Sequence, residues 1–269
     1  MRVALVVHEI GADLRRTLPD ADLVLLGEAV RTGLINNNDP AHDLPLGVEI
    51  PGPWIEELRD AHGHVALGLL EREDDRLYDS AALLDPDGSI LLHYRRNHPG
   101  WHGPRADPET YRQGTEVFAV DTPLGRFAFL ICGDLFDDGI VDRVRALEAD
   151  WLLFPFWRCF DDFSHDDRRW LDQELPEYAA RVARTNTPTL MVNCLAPREM
   201  MGGVFGGAAM DCGGPFLFLF GGTVSREIAD FLVEGAAEEF GSTGLTAIDH
   251  RFEMIQRFLT VEHAGADRA

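Results

Sequence analysis

Lysine is missing from this chain of 269 residues: all 24 basic side chains are arginines, set against 46 acidic ones for a formal charge of −22. Chemistry that calls for a lysine amine must therefore find another cation. The shortage of positive charge argues against a nucleic-acid partner or an anionic membrane surface, because both demand dense cationic patches. Cysteine is scarce too. The four present, Cys132, Cys159, Cys194 and Cys212, contain no C-x-x-C pair, which speaks against a disulfide framework and against thiolate metal-ligand spacing. No run approaches the 18 apolar residues of a membrane-spanning helix, and Phe216-Leu-Phe-Leu-Phe220 falls far short. The opening Met1-Arg-Val-Ala-Leu-Val-Val7 meets His8 and Glu9 before reaching the length of a secretory core, so it reads as a buried strand and the expected location is cytoplasmic. Repeats, low-complexity linkers and composition shifts are absent as well, which predicts one domain over residues 1–262 with a polar tail at 263–269. What is present is apolar material: 45% hydrophobic and 9% aromatic residues, incompatible with a disordered acidic chain and enough for a substantial core.

Short runs of Val, Leu and Phe recur between turn signals. Strands are predicted over residues 2–7, 22–26, 65–70, 80–84 and 90–94, with a helix around 10–18. Asp85-Pro-Asp-Gly88 has Pro at its second position and Gly at its last, the signature of a turn joining two of these strands. Strands at 116–120 and 127–131 flank Asp121-Thr-Pro-Leu-Gly125. Helix 140–149, strand 151–154, helix 175–185 and strand 190–193 come next, then a glycine-flanked hairpin over 204–210 and 216–220 and an acidic, amphipathic stretch beyond Ala229. Hairpins mixed with α/β crossovers predict mixed β-sheets with helices outside.

Three segments put a reactive group at a strand end: Ala21-Asp-Leu-Val-Leu-Leu-Gly-Glu28, Leu91-Leu-His-Tyr-Arg-Arg96, and Phe127-Ala-Phe-Leu-Ile-Cys132-Gly-Asp134. A thiol at a strand-to-helix turn sits where a helix dipole favours the thiolate. The glycine after it leaves backbone N–H groups open to an oxyanion. Taken singly, Cys132 reads as a small buried hydrophobe and Glu28 as a cap or a solvated carboxylate.

In this order and spacing, the three segments resemble the nitrilase superfamily of carbon–nitrogen hydrolases. The stretch from Leu77 to Gly88 and the following Tyr94-Arg-Arg96 are similar to that family's middle hairpin and lysine motif. Gly114, Val117-Phe118, Thr122-Pro-Leu-Gly125 and Ile131-Cys132-Gly-Asp134 resemble the approach to its nucleophile. Arg181-Val-Ala-Arg-Thr-Asn186 resembles the family's helix after the nucleophile, and the glycines from Gly206 to Gly214 resemble its next hairpin. The resemblance implies an α/β fold, a four-layer αββα sandwich of two mixed β-sheets flanked by helices, usually paired face to face as a homodimer. It also implies thiol-dependent hydrolysis of a small linear amide or N-carbamoyl compound, with no cofactor and no metal. Cys132 would be the nucleophile forming a thioester, and Glu28 the general base. Arg96 would stand in the lysine position that steadies the oxyanion. Arginine carries the positive charge but is larger, planar and effectively never deprotonates, so it supplies electrostatics and not a proton.

Several positions depart from the family pattern. The second glutamate falls on Glu109 or on Asp107, with Glu109 preferred for its reach. Gln113 replaces the proline before Gly114, Gly133 replaces an aromatic after the cysteine and leaves room near the thiol, and Phe136-Asp-Asp138 stands where Phe-Pro-Glu is usual. Substrate contacts are expected from Gly133, from Trp157 as an apolar wall, and from Arg158 as a bidentate carboxylate binder; Trp157 and Phe160 equally suit a core or interface cluster. His93, His98 and His102 lack tetrahedral spacing, and His98 is expected at the site entrance. Three functions remain open: an amide hydrolase, an acyl transferase passing the thioester to an amine, and a catalytically retired binding subunit.

Overall fold

Among the described residues, strands buried on both faces build a six-stranded and a five-stranded sheet. The computed structural model describes residues 1–6, 14, 18–32, 38–58, 61–157, 173, 175–193, 217–220 and 261–262. In the first sheet β1 (Arg2–Val6), β2 (Leu23–Leu26) and β3 (His64–Glu73) run parallel. Antiparallel β4 (Arg76–Leu84) and β5 (Ile90–Arg95) complete one side, and β11 (Val261–Glu262) lies antiparallel on β1. In the second sheet β7 (Gly125–Phe129), β8 (Trp151–Pro155) and β9 (Thr189–Val192) are parallel. Here β6 (Ala119–Thr122) and β10 (Leu217–Phe220) are the antiparallel flanks.

Strand alternation assigns each side chain to a layer. Val3, Leu5, Leu23, Leu25, Ala81 and Leu83 meet Phe127, Phe129, Leu153, Leu190 and Val192 in a core between the sheets. The intervening Ala4, Val6, Val24 and Leu26 face outward, under Leu14, Trp54 and Leu58. On the other outer face, α2 (Asp138–Arg145) contributes Ile140, Val141 and Val144, and α3 (Leu175–Thr185) contributes Tyr178 and Val182. The fold is the expected α/β arrangement of two mixed sheets with helices outside. A single turn of helix, α1 (Pro40–Asp43), lies between β2 and β3 in the chain and is capped by the Asp39 side chain.

Boundaries differ from expectation in two instructive places. β3 and β4 extend beyond their apolar centres to the pair Glu73↔Arg76, joined through Asp74 at φ 55°. Their charged ends hide the strand, yet the ladder hydrogen bonds continue. The cysteine is followed by a 3-10 segment, Cys132–Phe136, and helix α2 begins only afterwards, where Asp137 caps the Ile140 N–H at 3.0 Å. The thiol therefore does not sit on the first turn of a long helix. The helix expected around 10–18 lies almost wholly outside the described residues. Outside them altogether fall the strand at 204–210, residues 230–260 of the acidic stretch and the tail at 263–269.

Candidate active site

The inter-sheet layer ends in charge. On β4 the inward residues Leu83 and Ala81 are followed by Asp79, and the inward residues of β5, Leu92 and Tyr94, by Arg96. Main-chain and side-chain contacts join these two ends: the Arg96 N–H donates to the Asp79 carbonyl at 2.8 Å, and Arg96 Nη1 donates to Asp79 Oδ2 at 3.0 Å. Glu28 arrives from β2 by a turn that presses directly on β3. A Cβ on Gly68 would lie 2.6 Å from the Glu28 Cα, so only glycine permits the approach. The Gly68 N–H donates to the Gly27 carbonyl at 2.9 Å and fixes the turn. Arg96 Nη1 also donates to Glu28 Oε1 at 3.0 Å.

Cys132 follows β7 with φ 43°, a left-handed conformation that costs a non-glycine residue about 1 kcal/mol or more. Asp134 over-determines that strained turn. Its carboxylate accepts from the Ile131 N–H at 3.0 Å, from the Asn97 and His98 N–H groups at 3.0 and 2.8 Å, and from the Tyr94 hydroxyl at 2.7 Å. One buried carboxylate thus ties the cysteine turn to the segment after Arg96. The Cys132 thiol is half-buried and donates to the Trp157 carbonyl at 3.6 Å.

Electrostatics here follow from burial. Glu28 is 1% exposed, and burial raises its pKa well above the ordinary carboxylate value; the nearby Cys132 and Asp79 push it further up while Arg96 pulls it down. Burial works against the charge of Arg96, but Cys132, Glu28, Asp79 and Asp134 more than offset it and hold the guanidinium protonated. Asp134 is pushed up to about 6 by burial, against its hydrogen bonds and Arg96. Burial and the Arg96 charge lower the pKa of His98.

Glu28, Arg96 and Cys132 are therefore neighbours. Gly133 adjoins them, but the room it leaves is filled: a Cβ there would lie 2.4 Å from Arg96 Nη2 and 2.6 Å from His98 Nδ1. Trp157 is buried and reaches the thiol through its carbonyl. Arg158 and Phe160 lie outside the described residues. Glu109 stands apart from the cluster, with its side chain 84% exposed and 3.6 Å from Arg112. Asp107 is also exposed and accepts from the Glu109 N–H and the Thr110 hydroxyl. The buried carboxylate beside Arg96 is instead Asp79, a residue that the strand pattern gives no reason to single out beyond its being a charge in an otherwise apolar run. Asp134 is likewise visible in the sequence only as part of the cysteine segment. The three histidines disperse: His93 contacts Glu71 at 2.9 Å, His102 contacts Gln113 at 2.6 Å, and His98 packs at Gly133. Among the described residues no group of His, Cys, Asp and Glu is arranged to hold a metal, and no helix is long and apolar enough to cross a membrane.

Residues 4–210 match the family model described as carbon–nitrogen hydrolase. The chain belongs to the carbon–nitrogen hydrolase family. A deaminated glutathione amidase from Yersinia enterocolitica is 28% identical to it over 118 residues, 39% of this chain and 41% of that protein. The match thus spans about two-fifths of that relative's length. A carbon–nitrogen hydrolase from Helicobacter pylori G27 shares the fold with a TM-score of 0.62 at 18% identity, covering 81% of this chain and 82% of the other. A variant of an amidase from Nesterenkonia sp. AN1, seen with the acetamide moiety of fluoroacetamide added covalently at its active-site cysteine, aligns with a TM-score of 0.58 at 17% identity over 81% and 82% of the two chains.

Within this member of the family the cluster combines a thiol, a carboxyl of raised proton affinity and a permanent cation. A carboxyl whose pKa is raised toward that of a thiol is matched to taking and returning a thiol proton near neutrality. The guanidinium, dry and multiply held, is a preorganised positive charge.

Proposed function

We propose that the chain hydrolyses a small linear amide, N-carbamoyl compounds included, through a thioester on Cys132. The observation that carries this reading is the convergence of Glu28, Arg96 and Cys132 at one end of the inter-sheet layer, with Arg96 Nη1 3.0 Å from Glu28 and the thiol on a strained turn. Glu28 takes the Sγ proton as sulfur bonds to the carbonyl carbon, and the carbonyl π pair moves onto oxygen opposite the Arg96 guanidinium. Collapse restores the carbonyl and expels the amine, which takes the proton from Glu28. Water then adds to the thioester, giving a proton to Glu28. The second intermediate expels the sulfur, which recovers that proton as the acid leaves. Arg96 contributes charge at each tetrahedral stage and transfers nothing. The covalent adduct of the Nesterenkonia amidase supports the thiol route. Substrate contacts by Gly133, Trp157 and Arg158, a cytoplasmic location and a face-to-face homodimer belong to the same reading and rest on the family resemblance.

Intact mass after timed exposure to iodoacetamide tests the reading, alongside turnover of an amide panel. Cys132 should label fastest of the four cysteines, and Glu28→Gln should abolish that advantage together with turnover. Labelling of Cys132 no faster than that of Cys159 or Cys194 refutes it.

A further inference from the structure

Two carboxylates face one guanidinium in this cluster, and only one of them has a part in the reaction just described. Asp79 sits mid-strand on β4, 5% exposed, in a position where a carboxylate is costly unless something compensates it. Its Oδ2 accepts from Arg96 Nη1 at 3.0 Å, the same nitrogen that donates to Glu28 Oε1 at 3.0 Å, and its main-chain carbonyl accepts from the Arg96 N–H. Arg96 is therefore held by both ends of one residue. Its other terminal nitrogen, Nη2, lies toward the cysteine turn, in the space a Cβ on Gly133 would take.

A guanidinium left with a single carboxylate settles into a bidentate fork, two parallel N–H···O bonds. Arg96 with Glu28 alone would be expected to do so. That fork would turn Nη2 away from the thiol. Asp79 competes for Nη1 and prevents it. The charge count points the same way: Glu28 and Asp79 outweigh Arg96 by one negative charge in a buried setting and Asp134 adds a third carboxylate, so proton uptake on Glu28 relieves an excess of negative charge. From this geometry we propose that Asp79 is a positioning residue, which keeps Arg96 Nη1 shared between two carboxylates and Nη2 toward Cys132, beside the Glu28 that receives the thiol proton.

The inference rests on the amide-hydrolase reading, and its test separates the two. The groups that bear on Glu28 are Asp79 from β4, Arg96 beyond β5 and Cys132 beyond β7; Asp134 bears on Arg96, and Arg96 in turn on His98. In the full-length protein, the rate of Cys132 labelling by iodoacetamide is followed from pH 5 to 9 for the unaltered chain, Asp79→Asn, Asp79→Glu and Glu28→Gln. Asp79→Asn keeps the shape but replaces the charged acceptor with a weaker neutral one, so Arg96 can close on Glu28, and it removes a charge that raises the proton affinity of Glu28. Its acid limb should move to lower pH by about one unit, and its plateau should fall several-fold because the base is weaker. Asp79→Glu, which restores the charge, should return the limb toward its original pH. A purely structural role would lower the yield of folded protein without moving the limb. If Glu28→Gln abolishes fast labelling while Asp79→Asn leaves the limb in place or moves it upward, the role of Asp79 is overturned and the hydrolase reading stands. If Glu28→Gln labels as fast as the unaltered chain, the hydrolase reading falls, and this inference with it.

Discussion

Replacing Gly133 with alanine perturbs the cluster by a single methyl group in a place where the structure has no space for one. The added Cβ would lie 2.4 Å from Arg96 Nη2 and 2.6 Å from His98 Nδ1. An ordinary carbon–nitrogen contact is about 3.4 Å or more, so the guanidinium must retreat by roughly 1 Å. Long side chains usually yield at little cost, but Arg96 is 3% exposed and its Nη1 is held by two 3.0 Å bonds. A retreat of that size stretches both beyond hydrogen-bonding range. Misplacing a charge by about 1 Å at a reacting centre costs on the order of 100-fold in rate, so kcat/KM for the best amide should fall by about that factor. Stability should fall by about 1–3 kcal/mol, the cost of a weakened buried network, which denaturant midpoints would read separately. Adding Arg96→Lys to Gly133→Ala supplies the control: lysine ends in one nitrogen with no second arm to collide, and the partly exposed His98 ring can swing aside, so turnover should recover to within about tenfold of the unaltered protein. Turnover of Gly133→Ala within about threefold of normal would refute the claim that Arg96 and its placement matter to the chemistry.

The same geometry sets two further outcomes. Gly68→Ala sets a Cβ 2.6 Å from the Glu28 Cα and 2.9 Å from the Ala29 nitrogen, both main-chain atoms; it should cost about 2 kcal/mol or more in denaturant unfolding and slow Cys132 labelling by displacing the base. Asp134 has a folded pKa of about 6, above its usual 3.8, so the stability it confers is complete below about pH 4 and is lost as pH rises through about 6. Asp134→Asn removes that dependence. Relative to the unaltered protein, unfolding free energies of the variant should therefore shift in its favour by about 3 kcal/mol between pH 4 and 7, superimposed on the constant cost of the altered hydrogen bonds.

Much of the frame is legible in the chain because period-two burial writes itself into sequence. Pattern alone places residues 151–154 and 175–185 almost to the residue, since continuous apolar runs and an amphipathic helix each bury a defined face. Charged strand ends are not legible: Glu71 to Arg76 looks like a loop, but Glu71 is buried against His93, Arg95 and Ser80, and those partners hold its pKa down to about 2 despite its burial. At the site, Glu28 and Cys132 stand out because each ends an apolar strand. Asp79 does not, for it lies inside a strand and its partner is 17 residues away. Counting along a loop draws attention to Glu109, whereas depth in the molecule depends on how that loop folds, and its side chain points into water.

Arg95 and Arg96, adjacent in sequence, live in different electrolytes. Arg95 stacks over Tyr78 at 3.8 Å and meets Glu73, itself nearly half exposed, at the rim of an open cavity of about 440 Å³. Dissolved ions reach that rim and screen it within a Debye length, about 8 Å at physiological ionic strength. They do not reach Arg96, whose partners are buried with it. Added salt should therefore relieve the self-repulsion of a surface carrying 22 excess negative charges while leaving the inner charges untouched.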